Sequence, residues 1–251
     1  MKKFLLIIGI AVSGASCAEL LQVASQANIG GVGVSNTENV AGLKSSLNVG
    51  IEKAVNILGV ENGFFNDAVL KILLPPEAQP IVDNLKLIPG GQDLVNRAVL
   101  SLNRSAEDAV QTAVPIFKTA ITSMTINDAV SILFGADDAA TQYLHRTTYT
   151  QLSAAFAPKV KQSLDKPLVA NYSTTQSWNA LAKAYNQVAG SLVGKVAGLD
   201  VVNVNLEEYV MGKALDALFT KVASEEKAIR TNPAARVNEL LKKVFGQLDK
   251  K

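Results

Sequence analysis

Apolar residues recur at intervals of three and four along most of the chain, which is the period of an amphipathic α-helix. No long segment alternates apolar with polar residues, as a half-buried β-strand would. The pattern therefore predicts an all-α protein, a bundle of about seven or eight helices. The clearest series predicts a first helix terminated by Gly59, and it consists of Val40, Leu43, Leu47, Ile51, Val55 and Leu58.

Prolines, glycines and capping residues set the predicted ends of the next helices. Pro76 suits the first turn of a short helix that ends at residues 89–91. A long helix is predicted over residues 92–123, with a kink at Pro115 because proline lacks the N–H that its turn needs. Thr125 and Asp128 then form a capping pair, and the helix that they open is expected to end at Gly135.

The second half of the chain shows the same signals. Breaks are predicted near Pro158 and Pro167, and the following helix has an apolar stripe that predicts core packing. Asn205 with Glu208 opens a further helix that should end at residues 230–231, before Pro233. A last amphipathic helix is expected from residue 232 to Gly246. The stripe consists of Trp178, Leu181, Tyr185 and Val188.

The segment GADDAATQYLHRTT gathers two carboxylates, a tyrosine and the only histidine of the chain. Asp137 and Asp138 are expected to cap free N–H groups at a helix start. At about 100° per residue, Tyr143 and His145 point to nearly opposite sides. Asp138 and His145 share a face with Thr141, but they lie about 10 Å apart along the axis. The pattern favours a helix start over a catalytic Thr/His/Asp relay.

The N-terminus has the three-part layout of a secretory signal: Lys2 and Lys3, an apolar run over residues 4–12, and small residues after it. Residues 1–17 are therefore predicted to be a signal peptide. Residues 18–39 are rich in Ala, Gly, Ser, Asn and Gln and predict a flexible tether. Residues 40–247 are predicted to form a single helical domain.

Cys17 is the only cysteine, so an intramolecular disulfide is excluded. It lies where bacterial lipoprotein signals place the residue that is lipidated, and Ala15 and Ser16 suit such a signal. Gly14, however, stands where Leu, Val or Ile is usual, and a cleavage after Ala18 would suit ordinary signal peptidase. Both alternatives stay open, and lipidation is favoured because the chain places its one thiol there.

Charge argues against nucleic acid as a partner. The chain has 24 lysines and arginines, and loss of Lys2 and Lys3 with the leader leaves 22, equal to the 22 aspartates and glutamates. Nucleic-acid binding requires a basic field, which this balance does not supply. Attraction to anionic lipid by charge alone is weak for the same reason.

The sequence offers no motif for a metal or a cofactor. With one histidine and one cysteine, a zinc site of the usual kind is excluded. No Asp-rich loop has EF-hand spacing, and the GGVGVS segment lacks the Lys-Ser/Thr of a phosphate-binding loop. We expect no metal, no cofactor and no catalytic residue.

Several separated blocks, in order, resemble an exported bacterial family known as domain of unknown function 4197. The likeness covers residues 40–246 and implies export and a helical fold, but it implies no reaction. His145 does not belong to the family pattern, and ILLPP stands where an apolar-Pro-Leu-Pro run is more usual. The blocks are NGFFND, LNRSAEDA, PIFKTAITSMTINDAVSILFGADDAATQYL, LEEYVMGKALDALFTKVASEEKAIRTNPAAR and LLKKVFG.

The resemblance also singles out polar positions. Glu226 and Arg230 have the spacing of an ion pair along a helix, which on a solvated surface is worth only a few tenths of a kcal/mol. Alternatively, Arg230 lies near polar residues of the central helices in a buried network, and we favour a structural role for such a network. The matching residues are Asn103, Arg104, Glu107, Asp128, Asp138, Thr141, Glu225, Glu226, Arg230 and Asn232.

Two functions fit these observations, and an enzyme is the less favoured class. The first is an exported, periplasmic helical module, either soluble or lipid-anchored to the inner or outer membrane, that binds an envelope protein or has a structural role. The second is a protein that holds a lipid or another hydrophobic ligand in a cavity between helices. A carboxylate-dependent hydrolase is a third and less favoured hypothesis.

A Cys17→Ala substitution distinguishes a lipoprotein signal from an ordinary signal peptide. If Cys17 carries a lipid, the variant moves from the membrane fraction to the soluble fraction, because the acyl chains that anchor it are lost. Fractionation of the producing cells, followed by immunoblotting, measures this. Unaltered fractionation would contradict lipidation.

Overall fold

A computed structural model of the chain describes residues 33–87, 90–167 and 171–250. The predicted signal peptide, Cys17 and most of the predicted tether lie outside these residues. The described part is all-α, as predicted, without a β-strand, and its ten α-helices slightly exceed the expected number. They are α1 (Asn36–Leu58), α2 (Gln79–Asp83), α3 (Gly91–Val110), α4 (Val114–Ser123), α5 (Ile126–Leu133), α6 (Ala139–Asp165), α7 (Thr174–Ala189), α8 (Leu192–Val196), α9 (Leu206–Thr231) and α10 (Glu239–Phe245). Short 3₁₀ turns cover Pro76–Ala78, Leu85–Leu87, Pro233–Ala235 and Leu248–Lys250.

Helix α9 lies at the centre and packs against α6, α1 and α3. Its buried residues recur at four-residue steps, so that one row of side chains faces the core along the whole helix. The row continues with charged residues where the apolar ones end. It consists of Leu206, Val210, Ala214, Leu218, Val222, Glu226 and Arg230.

Helix α3 joins a second group of helices to this centre, since it packs against α7 and α6 as well as α9. Small buried hydroxyl residues line its contact with α7. The hydroxyls of Ser105 and Thr174 are 2.6 Å apart, and Thr174 also donates to the carbonyl of Ser101 at 2.9 Å. Small side chains let the two helices approach closely, and these hydrogen bonds satisfy the buried hydroxyls.

Helix α1 packs against α5, α4 and α10. It begins at Asn36, four residues before the predicted start, and ends at Leu58 before Gly59, as predicted. Its approach to α10 is close: a Cβ atom added at Gly42 would lie 2.5 Å from Val244 Cγ2. Glycine is therefore required where these two helices cross.

The predicted long helix over residues 92–123 is two helices. Helix α3 ends at Val110, and Pro115 lies in the first turn of α4 rather than in the middle of a kinked helix. Proline fits the first turn because the N–H that it lacks would have no partner there. The prediction of a kink was wrong, because the chain breaks completely at residues 111–113.

The predicted break near Pro158 was also wrong, whereas α6 does end just before Pro167. Helix α6 continues through Pro158, although an internal proline costs about 3 kcal/mol. Pro158 and Ala154, whose carbonyl loses its usual partner, are both exposed. The other face carries a buried row that holds the helix together across the proline: Ala140, Leu144, Thr148, Leu152, Phe156, Val160 and Leu164.

The predicted last helix is shorter than expected. Instead of running from residue 232, the chain forms a 3₁₀ turn at Pro233–Ala235, and α10 begins only after Asn238, whose side chain accepts from Leu241 N at 2.9 Å. Val237, expected on the apolar face, is exposed. The cause is Arg236, whose side chain turns back to the end of α9 and whose backbone leaves the helical region.

Other predicted helix ends are confirmed. Thr125 and Asp128 form a reciprocal capping box at the start of α5. Asn205 accepts a hydrogen bond from Glu208 N at 3.2 Å and opens α9, which ends at Thr231. In α7 three members of the predicted stripe, Trp178, Leu181 and Tyr185, are buried, and Val188 is half-buried.

Two glycines in helices should respond oppositely to alanine. Gly42→Ala should lower the free energy of unfolding by about 1–3 kcal/mol, because the new methyl group overlaps Val244. Gly212→Ala should raise it by about 0.5–1 kcal/mol, because the new Cβ meets nothing within 4 Å beyond the local helix backbone and alanine favours the helix. Urea unfolding of both variants measures the difference. Equal effects would contradict the α1–α10 contact.

Candidate functional site

Glu226, on the buried face of α9, accepts five hydrogen bonds from described residues. Its carboxylate accepts from Ala140 N at 2.9 Å and from Thr141 N at 2.8 Å, which are free N–H groups in the first turn of α6. The Thr141 hydroxyl donates to the same carboxylate at 2.8 Å. Glu226 therefore caps α6 from another helix, and its negative charge faces the positive end of the α6 dipole.

Arg230, one turn further along α9, caps the C-terminal end of α5. Its guanidinium donates to the carbonyls of Leu133 and Ile132, each at 2.8 Å, at the C-terminal end of that helix. It also donates to Glu226 Oε1 from Nε at 3.0 Å and from Nη2 at 2.8 Å. A cation thus meets the negative end of the α5 dipole.

Glu226, Arg230 and Thr141 together form what we call the helix-end clamp. The side chains of Glu226 and Arg230 are 5% and 3% exposed, so the pair is buried and not solvated. Burying two charges is costly unless hydrogen bonds satisfy them, and here the carboxylate accepts five. The clamp holds the turn between α5 and α6 against α9.

The aspartates that were expected to cap α6 do not do so. Asp138 stands at the N-cap position without a side-chain hydrogen bond to the backbone, and its carboxylate instead accepts from the Gln142 side chain at 2.9 Å. Asp137 lies on the surface, 3.7 Å from the Lys227 ammonium. The prediction was wrong because Glu226 already occupies the N–H groups of the first turn.

A second polar cluster lies on α3 and holds the non-helical segment 59–75 in place. Asn103 Oδ1 accepts from Ile72 N at 2.9 Å, and Asn103 Nδ2 donates to Ile72 O at 2.8 Å. The side-chain amide therefore pairs with the backbone of Ile72 as a neighbouring β-strand would. Buried backbone groups need such partners, and this segment has no sheet to supply them.

Glu107 and Arg104 complete this cluster, which we call the loop pin (Asn103, Arg104 and Glu107). Glu107 Oε1 accepts from Phe64 N at 3.1 Å and from Phe65 N at 3.3 Å, and its Oε2 accepts from Arg104 at 2.6 Å. Arg104 also donates to Asn62 Oδ1 at 3.0 Å. Each member of the loop pin thus bonds a different point of the segment or another member.

A turn within the same segment is stabilised by the side chain of Asp67. The Asp67 carboxylate accepts from the backbone of Val69 at 2.9 Å and of Leu70 at 3.1 Å. These backbone N–H groups hold the pKa of Asp67 below its ordinary value, and Lys221, 3.7 Å away, acts in the same direction. The charged form is therefore the one that fits the turn.

The polar residues singled out in the sequence do not form one network. Arg230 bonds no member of the loop pin. Asp128 belongs to the α5 capping box, and Asn232 caps the turn at Pro233–Ala235 by accepting from Ala234 N at 3.0 Å. Glu225, next to the clamp, instead pairs with Lys53 of α1 at 2.5 Å.

Arg236 was not among the polar residues singled out in the sequence. Its side chain is buried, with 2% exposed. It donates to the carbonyls of Ile229 and Arg230 at 3.0 Å each, and so caps the end of α9. It also makes two hydrogen bonds to Asp249, which hold the pKa of that carboxyl below its ordinary value. A cation just beyond a predicted helix end was the signal that could have found it.

His145 lies on the exposed side of α6 and packs in a cluster with two aromatic rings. Its ring centroid is 4.8 Å from that of Tyr149 and 4.7 Å from that of Phe219. Its neighbour Thr141 faces Glu226 in the clamp. The geometry assigns His145 to aromatic packing.

The comparison with known families identifies the chain. The family model described as protein of unknown function (DUF4197) matches residues 33–246. The chain belongs to this family. No curated protein and no solved structure matches it. In this DUF4197 chain both the helix-end clamp and the loop pin lie within the matched region.

The charged groups of both clusters are committed to structural hydrogen bonds. The clamp carboxylate accepts backbone and side-chain donors on both oxygens, and the guanidinium of Arg230 donates to carbonyls at a helix end. Within the described residues, no group of three or more His, Cys, Asp or Glu side chains is placed to hold a metal ion. Over the same residues, no helix has the length and apolarity that a membrane crossing requires.

Loss of the clamp charge should be costly. Glu226→Gln preserves the shape of the side chain but leaves Arg230 buried without a counter-charge, so the free energy of unfolding should fall by about 3–5 kcal/mol. Glu239→Gln is the matched control, because Glu239 forms an exposed pair with Lys242, and it should cost at most about 0.5 kcal/mol. Urea unfolding measures both, and similar losses for the two would contradict a structural clamp.

Proposed function

We propose that this DUF4197 protein is exported and acts in the cell envelope as a non-enzymatic helical module that binds another protein. The clamp and the loop pin support the structural part of this proposal. Their charged groups stabilise helix ends and a loop, and each is engaged by neighbouring protein atoms. A catalytic acid, base or nucleophile needs a face that substrate can reach.

The observation that carries the binding role is an apolar tip at α8, formed by Leu192, Val193 and Val196. These side chains are 81%, 76% and 83% exposed. Leu192 and Val196 are one turn apart and lie on the same helix face, beside Val193. Single exposed aliphatic residues are ordinary, but three within five residues form a patch of the kind that marks interaction sites.

The apolar tip is held rigidly on the body of the protein. Ser191 caps α8 by accepting from Gly194 N at 3.1 Å. Gly194 itself is buried against the end of α7, where a Cβ would lie 2.2 Å from Val188 O. Gly198 follows α8 with φ of +72°, a left-handed conformation that favours glycine. The sequence thus builds a defined turn whose apolar side chains face outward.

Burial of the tip by a partner would supply substantial binding energy. Each large aliphatic side chain contributes about 1.5–3 kcal/mol when it is fully removed from water. A rigid tip loses little conformational entropy on binding, so more of this energy appears as affinity. A protein partner with an apolar pocket is the occupant that fits such a protruding surface.

A second candidate function is the binding of a hydrophobic ligand. It draws support from an open groove of about 620 Å³ beside α3, which contains Leu73, Val99 and Leu100. This volume lies within the range of about 300–1,000 Å³ that is typical of ligand sites. The groove lies between a helix and a loop segment, not between helices as the sequence suggested.

Photo-crosslinking in the producing cell tests the protein-binding proposal. A photoreactive residue in place of Val193 should give a discrete protein adduct, because the partner covers the tip. The same residue at Thr150, an exposed position of α6, is the control and should give none. Immunoblotting and mass spectrometry of the adduct provide the measurement.

A charge variant completes this test. Leu192→Asp with Val196→Asp should abolish the adduct at position 193, since burial of two carboxylates is unfavourable. The substitutions should change the free energy of unfolding by no more than about 0.5 kcal/mol each, because both positions are exposed. An adduct that survives them, or the absence of any protein adduct, would refute the proposal.

A further inference from the structure

The groove beside α3 combines apolar side chains with two cations. Besides Leu73, Val99 and Leu100, it is lined by Lys71 and Arg97, and no carboxylate of the described residues lines it. Leu73 is 60% exposed, so part of the apolar surface is open to water. The groove therefore offers apolar contact and positive charge at one site.

The loop pin fixes the wall of this groove. Phe65, at one end of the lining, is bonded through its backbone N–H to Glu107, and Ile72, between Lys71 and Leu73, is bonded on both backbone groups to Asn103. Glu107 and Asn103 belong to α3, the helix that forms the other wall. Because both walls are joined by buried hydrogen bonds, the groove is preformed.

The two cations are available to an anion. The Lys71 ammonium lies 3.8 Å from the centre of the Phe65 ring, and the Arg97 guanidinium lies 5.0 Å from that of Tyr172. Among the described residues neither forms an ion pair with a carboxylate. A ring face orients a cation without using its N–H donors, which stay free for a ligand.

We propose that this groove binds a free fatty acid, with the alkyl chain on Leu73, Val99 and Leu100 and the carboxylate at Lys71 and Arg97. The inference rests on the second candidate function and names its ligand class. An apolar surface alone would accept any hydrophobic chain, but two lining cations that form no ion pair among the described residues favour an anionic end group. The groove volume of about 620 Å³ suits one chain of a small amphiphile.

Calorimetric titration of the purified protein with dodecanoate, below its micelle concentration, tests this. We expect one molecule bound per chain. Dodecyltrimethylammonium has the same alkyl chain and the opposite charge, and it should bind much more weakly. Arg97→Gln and Lys71→Gln should each weaken dodecanoate binding about fivefold, which corresponds to the loss of one partly solvated ion pair.

Two further variants separate the groove from general effects. Leu73→Asp should remove binding, because it places a charge on the apolar floor at an exposed position that does not support the core. Lys183→Gln is the matched control, since Lys183 lines a different groove, and it should leave the affinity unchanged. Circular dichroism melting verifies that all variants are folded.

The outcomes are distinct. Absence of dodecanoate binding, equal binding of the cationic amphiphile, or equal affinity of the Leu73→Asp and wild-type proteins would each overturn the proposal. Cross-linking at Val193 is a separate measurement, so failure of the groove leaves the protein-binding proposal standing, and the reverse also holds.

Discussion

The fold depends on one buried ion pair, that of Glu226 and Arg230. Helices α5 and α6 are separated by only five residues, and the last carbonyls of α5 and the first N–H groups of α6 both face α9. The carboxylate satisfies the N–H groups of one helix and the guanidinium satisfies the carbonyls of the other. Without this pair, packing the turn against α9 would bury polar backbone groups without partners, which is more costly than burying a well-bonded pair of charges.

From the sequence alone, this pair could be either solvated on the helix surface or part of a buried structural network. Glu226 and Arg230 continue a four-residue row of buried residues that begins at Leu206. Read as apolar periodicity alone, the row ends at Val222, so the charged residues look like a surface pair. Read as position on a helix face, they fall inside the core. The face of a helix, and not the polarity of each residue, therefore predicts burial here.

Helix content and most helix starts could be predicted, because capping residues and apolar periodicity act locally. The ends that depend on tertiary contacts could not. Asp138 has the chemistry of a capping residue, yet Glu226, distant in sequence, occupies the N–H groups that it would take. Pro158 has the chemistry of a helix breaker, yet the buried row of α6 overrides it. In both cases a long-range interaction outweighs a local preference.

The candidate sites were less accessible to sequence analysis for a related reason. The sequence marked Asn103 and Glu107 as polar positions on a helix, but their partners in the loop are backbone groups of residues 64–72, and backbone groups leave no signal in a sequence. The apolar stripe of α7 predicted the burial of Leu181, whereas no signal in the sequence marked Leu192 as exposed. Only the packed structure shows which apolar residue lacks a neighbour.

The roles of the buried charged residues indicate which surfaces of this protein are free to bind other molecules. The buried acids and bases hold helix ends and the 59–75 segment, so they stabilise the fold instead of facing solvent. The two surfaces that we propose for recognition are set on such internal supports: the tip at α8 is fixed by Gly194, and the groove beside α3 is fixed by Asn103 and Glu107. Both supports rely on buried residues that lie behind the proposed contact surfaces. Binding at either surface should therefore be as sensitive to its supporting residues as to its contacts, since loss of rigidity costs affinity even when every contacting side chain is retained.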